Sequence, residues 1–215
     1  METSGFGSIP QIAIDLVEGG EDTALAAVDE FVARDLVPLL PESARLISID
    51  GLDGVGKSTL AKAISLRTGA VLLQLDSYLD GNRDLFLSAL DYPALRQEIS
   101  ENGRVIVEGC AVLAALLKLE LEPDFRIYVV RTVRMHAQPD MEWIDERDLL
   151  FGEKTADELI HEQEEQARRW AQAPSEFGGG GSGDLPNLVK ELITYHCEFK
   201  PHRSADLIVK VVRRT

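Results

Sequence analysis

Apolar and polar residues alternate in blocks along the chain, so that short buried segments take turns with amphipathic ones. Apolar runs that predict strands lie at 46–50, 70–76, 104–109, 125–131 and 205–212. Segments with helical spacing of apolar residues lie between them, at 57–67, 93–102 and 111–121. Strands that alternate with helices are typical of a parallel sheet covered on both faces. We therefore predict a three-layer α/β fold around a five-stranded parallel sheet.

The first 44 residues precede this alternation and predict a separate helical extension. Residues 10–20 and 21–40 both suggest helices, and Pro38 ends the second one. We expect these two helices to cover one face of the sheet. The remaining residues, 45–215, are then the main domain.

A polar stretch interrupts the pattern after the fourth predicted strand. Residues 140–173 are rich in charges and poor in core positions, which indicates a helical lid over about 140–175. The glycine-rich run 177–183 has the composition of a flexible linker, either natural or engineered. Residues 184–199 predict one more helix before the last strand.

Composition narrows the kinds of partner. The 215 residues carry a formal net charge of −15 and have a pI near 4.7. We expect no nucleic-acid polymer as partner, because phosphate backbones are bound by basic surfaces. No apolar run approaches the roughly 18 residues of a membrane span, and the N-terminus lacks the pattern of a secretory signal. We expect a cytoplasmic protein without a membrane partner, and a homodimer is left open.

The segment 51–59, GLDGVGKST, has the spacing of a phosphate-binding loop and lies between a predicted strand and a predicted helix. Its glycines allow backbone N–H groups to turn inward, and the helix N-terminus adds positive potential. This predicts ATP and Mg²⁺ as bound groups, whereas a plain glycine-rich turn with an exposed lysine is the alternative. Lys57 would reach the β- and γ-phosphates, and Ser58 would join the Mg²⁺ shell. The predicted nucleotide contacts are Gly51, Asp53, Gly54, Val55, Gly56, Lys57, Ser58 and Thr59.

Three acids, Asp50, Asp76 and Glu108, end predicted strands, at the edge of a parallel sheet where ligands bind, and the last two have predicted roles. Asp76 would face the γ-phosphate and accept the proton of an attacking hydroxyl, unless it is a turn or N-cap residue. Glu108 would hold Mg²⁺ or its water shell, unless it is a buried acid bonded to backbone donors.

The predicted lid carries cations that would suit a transferred phosphoryl group, whose charge spreads over its oxygens. Ion pairs at i,i+4 along a solvated helix are the alternative role for each of them. These cations are Arg147, Lys154, Arg168 and Arg169.

The phosphate loop and the later segments LDSYLD, DYPALR, VIVEG and FKPHRSADLIV occur in the order of the uridine kinase-like group, which the chain resembles over about 46–212. That group includes uridine-cytidine kinases, phosphoribulokinase and bacterial pantothenate kinase. The resemblance implies Asp76 as catalytic base, Tyr78 and Asp91 on the acceptor side, and Glu108 as the acid after the third strand. It also implies a lid arginine at Arg147, and His202 and Arg203 near the adenine of ATP.

The chain departs from the group's pattern at Leu79, where the group has tyrosine, and in the lid segment ERDLLFGE, which lacks an expected arginine. These departures concern the acceptor more than the transfer chemistry. We predict transfer of the γ-phosphate of ATP to a hydroxyl of a small molecule, with nucleosides first among the candidates. One alternative is a thymidylate-type nucleoside-monophosphate kinase, for which Arg83 would bind the acceptor's phosphate. The other is a regulatory ATPase without phosphotransfer.

Overall fold

The computed structural model of the chain describes residues 8–16, 21–80, 85–134, 142–144, 154–171 and 184–214. The strands are β1 Gln11–Leu16, β2 Leu46–Gly51, β3 Val71–Gln74, β4 Val105–Glu108, β5 Phe125–Arg134, β6 Glu142–Ile144 and β7 Leu207–Arg214. The α-helices are α1 Glu21–Phe31, α2 Lys57–Thr68, α3 Tyr92–Glu101, α4 Val112–Lys118, α5 Ala156–Ala171, α6 Asn187–Phe199 and α7 Pro201–Ser204. A π-helical turn and two 3₁₀ turns complete the described elements, at Val32–Leu36, Val37–Leu39 and Leu75–Tyr78.

The sheet has the strand order β1-β7-β5-β2-β4-β3, and all neighbours in this order are parallel. The short strand β6 pairs antiparallel with β5. All five predicted strands are present, but the number predicted was wrong, because β1 makes a sixth parallel strand. Strand β2, which leads into the phosphate loop, therefore lies inside the sheet with β5 on one side and β4 on the other.

The strand β1 replaces the helix that the sequence predicted over 10–20. Ile12 and Ile14 pack on the core, whereas the alternate residues Ala13 and Asp15 are exposed. This alternation has the period of a strand with one covered face, and it aligns Ile14 with Val211 of β7. The second N-terminal prediction is confirmed, since residues 21–39 are helical throughout. The division of the chain at residue 44 stays a prediction.

Helices pack against both faces of the sheet, and the alternation along β2 shows why. Ile47 and Ile49 belong to a core cluster with residues of α1 and α2, whereas Leu46 belongs to a second cluster with residues of α3 and α4. Every residue of β2 is buried. A parallel strand buried on both faces carries apolar residues on both, and Leu46, Ile47 and Ile49 made this strand predictable.

The helix predicted within 140–175 is present in part, whereas its role as a lid stays a prediction. Helix α5 occupies 156–171, but residues 142–144 form a strand instead of the predicted helix. The rest of the 140–175 range and the glycine-rich run 177–183 lie outside the described residues. In the described ranges, no helix combines the length and the apolar character that a bilayer crossing requires.

Candidate functional site

The phosphate loop connects the end of β2 with the start of α2, as its spacing predicted. Gly51 and Gly56 have φ angles of 149° and 103°, a region that residues with a Cβ rarely adopt. A Cβ atom on Gly51 would lie only 2.4 Å from the carbonyl oxygen of Val129 on β5. Val55 is buried in the core and anchors the middle of the loop. Asp53, Ser58 and Thr59 are exposed around it.

Replacing Gly51 with alanine is expected to lower the free energy of unfolding by roughly 2–4 kcal/mol, from backbone strain combined with overpacking. The added methyl group would overlap the backbone of β5, which cannot rotate away as a side chain could. Gly103→Ala is the matched control, because a Cβ there meets nothing within 4 Å. Denaturant titration of both variants would test this, and equal stabilities would contradict it.

Lys57 is only 5% exposed, so it is not the surface lysine of an ordinary glycine-rich turn. Its Nζ donates to the carbonyl oxygen of Leu52 at 2.7 Å and to Sγ of Cys110 at 3.3 Å. Burial raises the pKa of the Cys110 thiol, and the Lys57 charge opposes that rise. The ammonium group therefore lies across the loop, beside the end of β4.

Asp50 is a buried acid for which the sequence predicted a place at the site but no specific role. Its Oδ1 accepts from the amide of Gly51 at 2.7 Å, and its Oδ2 accepts from the amide of Val112 at 3.2 Å and from the hydroxyl of Tyr195. Burial raises the pKa of Asp50 to about 6. The Tyr195 hydroxyl, the two amides and Lys57 oppose this rise, because each stabilises the charged carboxylate. This carboxyl group joins the start of the loop to α4 and α6. Its position at the end of an apolar strand was the only signal in the sequence.

Glu108 ends β4 and is buried next to the end of β2, where it aligns with Ile49. Its Oε1 accepts from Nε2 of Gln74 on β3 at 2.7 Å, so its observed partner is a side chain. In the described part of the chain, no group of three or more His, Cys, Asp or Glu residues could hold a metal ion. The assignment of Ser58 and Glu108 to Mg²⁺ stays a prediction, for a site whose shell waters and phosphate oxygens would complete.

Asp76 lies in the 3₁₀ turn that follows β3. Leu75 before it is fully buried against Gly109, where an added Cβ would lie 3.0 Å from its Cδ1. Asp76 itself is exposed and lines a cavity of about 510 Å³, together with Asp53 of the phosphate loop and Cys110. The remaining lining is mostly apolar and comes largely from α6, at Leu188, Val189, Leu192 and Ile193, with Leu79 and Phe86.

Tyr78 and Asp91 lie near each other, since the amide of Asp91 donates to the carbonyl of Tyr78 at 2.8 Å. Burial and a hydrogen bond with Glu98 raise the pKa of Tyr78 to about 12. Asp91 caps α3 by accepting from the amide of Ala94 at 3.0 Å. Neither residue lines the cavity that contains Asp76. Arg83 and Arg147 lie outside the described residues.

The lid cations that the structure describes are paired with glutamates. The ion pairs are Lys154–Glu162, Arg168–Glu164 and Arg169–Glu165. For Arg168 and Arg169 the i,i+4 alternative is confirmed, whereas Lys154 precedes α5 and pairs with a residue eight positions later.

His202 was predicted near an adenine, but the structure places its ring inside the protein. It is 3% exposed and packs edge-on against Tyr128, with 5.9 Å between ring centroids. His196 of α6 packs against the same tyrosine and also lines the cavity. Burial lowers the pKa of His202 to about 4 and that of His196 to about 3, so both are neutral at neutral pH. Arg203 is exposed.

These buried histidines predict a loss of stability in acid. A pKa of about 3 in the folded state, against 6.5 for an exposed histidine, means that the contribution of His196 is fully present above pH 6.5 and is lost as the pH falls toward 3. By about pH 4 the loss is roughly 3 kcal/mol. Asp50 acts in the opposite sense, because its raised pKa adds stability as the pH falls from about 6 to 4.

His196→Leu is therefore expected to flatten the pH dependence of the free energy of unfolding between about pH 7 and pH 4. His161→Gln is the control, since His161 is exposed on α5 and should leave the slope unchanged. Asp50 is present in the wild type and in both variants, so its contribution to the pH dependence of stability is the same in all three proteins. The same slope in His196→Leu as in the wild type would contradict the assignment.

Neither a protein-family model nor a curated protein matches this chain. Among solved structures, a possible uridine kinase from Bacillus stearothermophilus is similar at 15% sequence identity, over 86% of this chain and 98% of that chain, with a TM-score of 0.45.

Proposed function

We propose that this protein binds ATP with Mg²⁺ at residues 51–59 and transfers the γ-phosphate to a hydroxyl group of a small molecule. The observation that carries the proposal is the cavity of about 510 Å³ in which Asp76 and the loop residue Asp53 both take part. A carboxylate and a phosphate loop on one cavity bring a proton acceptor and a phosphoryl donor together. Its volume is within the range of small-molecule sites.

The loop residues and Lys57 would bind the phosphates. The loop suits phosphates, because its glycines leave the backbone N–H groups unobstructed and Lys57 already lies across it. Ser58 and Glu108 would hold Mg²⁺, which when bound supplies positive charge to the phosphate oxygens. Val55 and the network around Asp50 keep the loop in place while the phosphates bind.

The acceptor would occupy the cavity with its hydroxyl next to Asp76. The apolar side chains of α6 suit a flat or aliphatic ring, and nucleosides remain the first candidates. Gln163 of α5 also lines the cavity, so the described lid helix contributes to its wall. Closure over the acceptor would exclude water, which would otherwise compete as a phosphoryl acceptor.

One observation favours a second candidate, a regulatory ATPase without phosphotransfer. The described lid cations are engaged with glutamates in this arrangement. A switch protein needs nucleotide binding but no cation over an acceptor.

An acceptor screen separates the two candidates. Nucleosides, pantothenate and sugars would be tested with MgATP, and ADP release would be measured. ADP release that requires one of the acceptors supports the kinase, whereas steady release without any acceptor supports the regulatory ATPase. Absence of MgATP binding in calorimetry would contradict both.

A further inference from the structure

Strand β5 brings a second cation to the phosphate loop, at Arg131. A Cβ atom on Gly54 would lie 3.5 Å from Nη2 of Arg131, so the guanidinium is in van der Waals reach of the loop. Register explains this position: Gly51 aligns with Val129, and Arg131 lies two residues further along β5 on the same face. Val129 packs in the core cluster that includes residues of α2, the helix that begins at the loop.

Lys57 and Arg131 approach the loop from opposite sides. The Lys57 ammonium contacts Cys110, which follows β4, whereas Arg131 belongs to β5. Strands β4 and β5 flank β2 on its two sides. The loop is thus placed between two positive charges, in a chain whose formal net charge is −15. Such a local concentration of positive charge is what an anion requires on an acidic protein.

We propose that Arg131 binds the phosphate oxygens of the nucleotide, as a second cation beside Lys57; this rests on the proposed function. A guanidinium remains charged at all accessible pH values and offers parallel N–H donors that match phosphate geometry. Arg131 is half-buried, so a hydrogen bond there is less weakened by solvent than one at the surface. A phosphate-binding role for Arg131 also agrees with the predicted lid, because the described lid cations are engaged with glutamates.

Isothermal titration of MgATP, inorganic tripolyphosphate and adenosine tests the assignment, with far-UV circular dichroism to establish that each variant is folded. We expect Arg131→Gln to weaken MgATP and tripolyphosphate by about 10- to 100-fold, the value of a hydrogen bond to a charged group. Adenosine affinity should be unchanged. Arg131→Lys should recover part of the loss, because a point charge replaces the bidentate donor.

Arg126→Gln is the matched control, since Arg126 is at the other end of β5 and pairs with Glu122 at 2.7 Å. It should leave all three affinities unchanged. Tripolyphosphate affinity within about twofold of the wild type in Arg131→Gln would overturn the proposal. So would an equal loss for adenosine, which indicates a structural role. If Arg131→Gln does not fold, the same comparison is made with Arg131→Met, which keeps an unbranched chain but removes the charge, and tripolyphosphate affinity within about twofold of the wild type would overturn the proposal.

Failure of the proposed function has a different signature. A wild-type protein that binds neither MgATP nor tripolyphosphate would overturn the nucleotide site and Arg131 together. Binding of MgATP without acceptor-dependent ADP release would overturn only the kinase, and the loss in Arg131→Gln would still support the role of Arg131.

Discussion

Lys57→Met is expected to reduce phosphoryl transfer by about 10²- to 10³-fold, the cost of removing one preorganised donor from developing charge. Methionine has nearly the same length as lysine, so it fills the buried space that Lys57 occupies at 5% exposure. What is lost is the ammonium group, which donates to Leu52 and Cys110 in the ligand-free fold and would turn to the phosphates. The measurement is kcat at saturating MgATP, together with MgATP affinity.

Lys62→Met is the matched control, because Lys62 is exposed on the same helix, little more than one turn further along. We expect its kcat to equal that of the wild type. Near-normal turnover in Lys57→Met would contradict the phosphate-loop assignment, since no other residue of the GKS sequence carries a positive charge.

The central strands were predictable because burial on both faces leaves a strong local pattern. Every residue of β2 and β4 is buried; β4 is apolar up to Glu108, and β2 carries Leu46, Ile47 and Ile49. The edge strand β1 was mistaken for a helix because only one of its faces is covered. Its exposed positions, Ala13 and Asp15, weaken the apolar run, and two isoleucines are too few to separate a period of two from one of 3.6.

The phosphate loop was predictable because its residues are contiguous, and the glycine φ angles that it requires are local. The residues around it could not be predicted in the same way. Tyr195 contacts Asp50 across 145 residues of sequence, and Arg131 reaches Gly54 only because β5 is next to β2. In the sequence Arg131 merely ends an apolar run, where a charged residue is common. Contacts of this kind depend on strand order, which no local pattern specifies.

In the lid, by contrast, the local sequence pattern was sufficient to predict the partners of two arginines, and it indicated a structural role for them. Arg168 and Arg169 each have a glutamate four residues earlier in the sequence, and the structure pairs them accordingly. Their charge takes part in ion pairs along the helix. The role proposed for Arg131 depends instead on its position on β5 beside the loop, at the edge of the sheet where ligands of parallel sheets bind.

Asp76→Asn is expected to lower kcat by about 10²- to 10⁴-fold, the usual contribution of a general base. Asparagine keeps the size and hydrogen bonding of the side chain but cannot take a proton. Leu75 and Gly109, whose packing sets the turn, are untouched, so the fold and MgATP affinity should be little changed. The measurement is kcat at saturating ATP on protein shown to be folded, with a single-turnover experiment to separate chemistry from product release.

Two neighbouring carboxylates sharpen this test. Asp80→Asn alters an exposed residue beyond the 3₁₀ turn and should leave kcat unchanged. Asp53→Asn alters the other carboxylate that lines the cavity, so a larger loss there than in Asp76→Asn would transfer the role of base to the phosphate loop. A loss under about threefold in Asp76→Asn, with chemistry limiting, would reject it as the base, because a proton acceptor in the transition state contributes far more. Asp76 would then be a turn residue that lines the acceptor cavity without taking part in proton transfer.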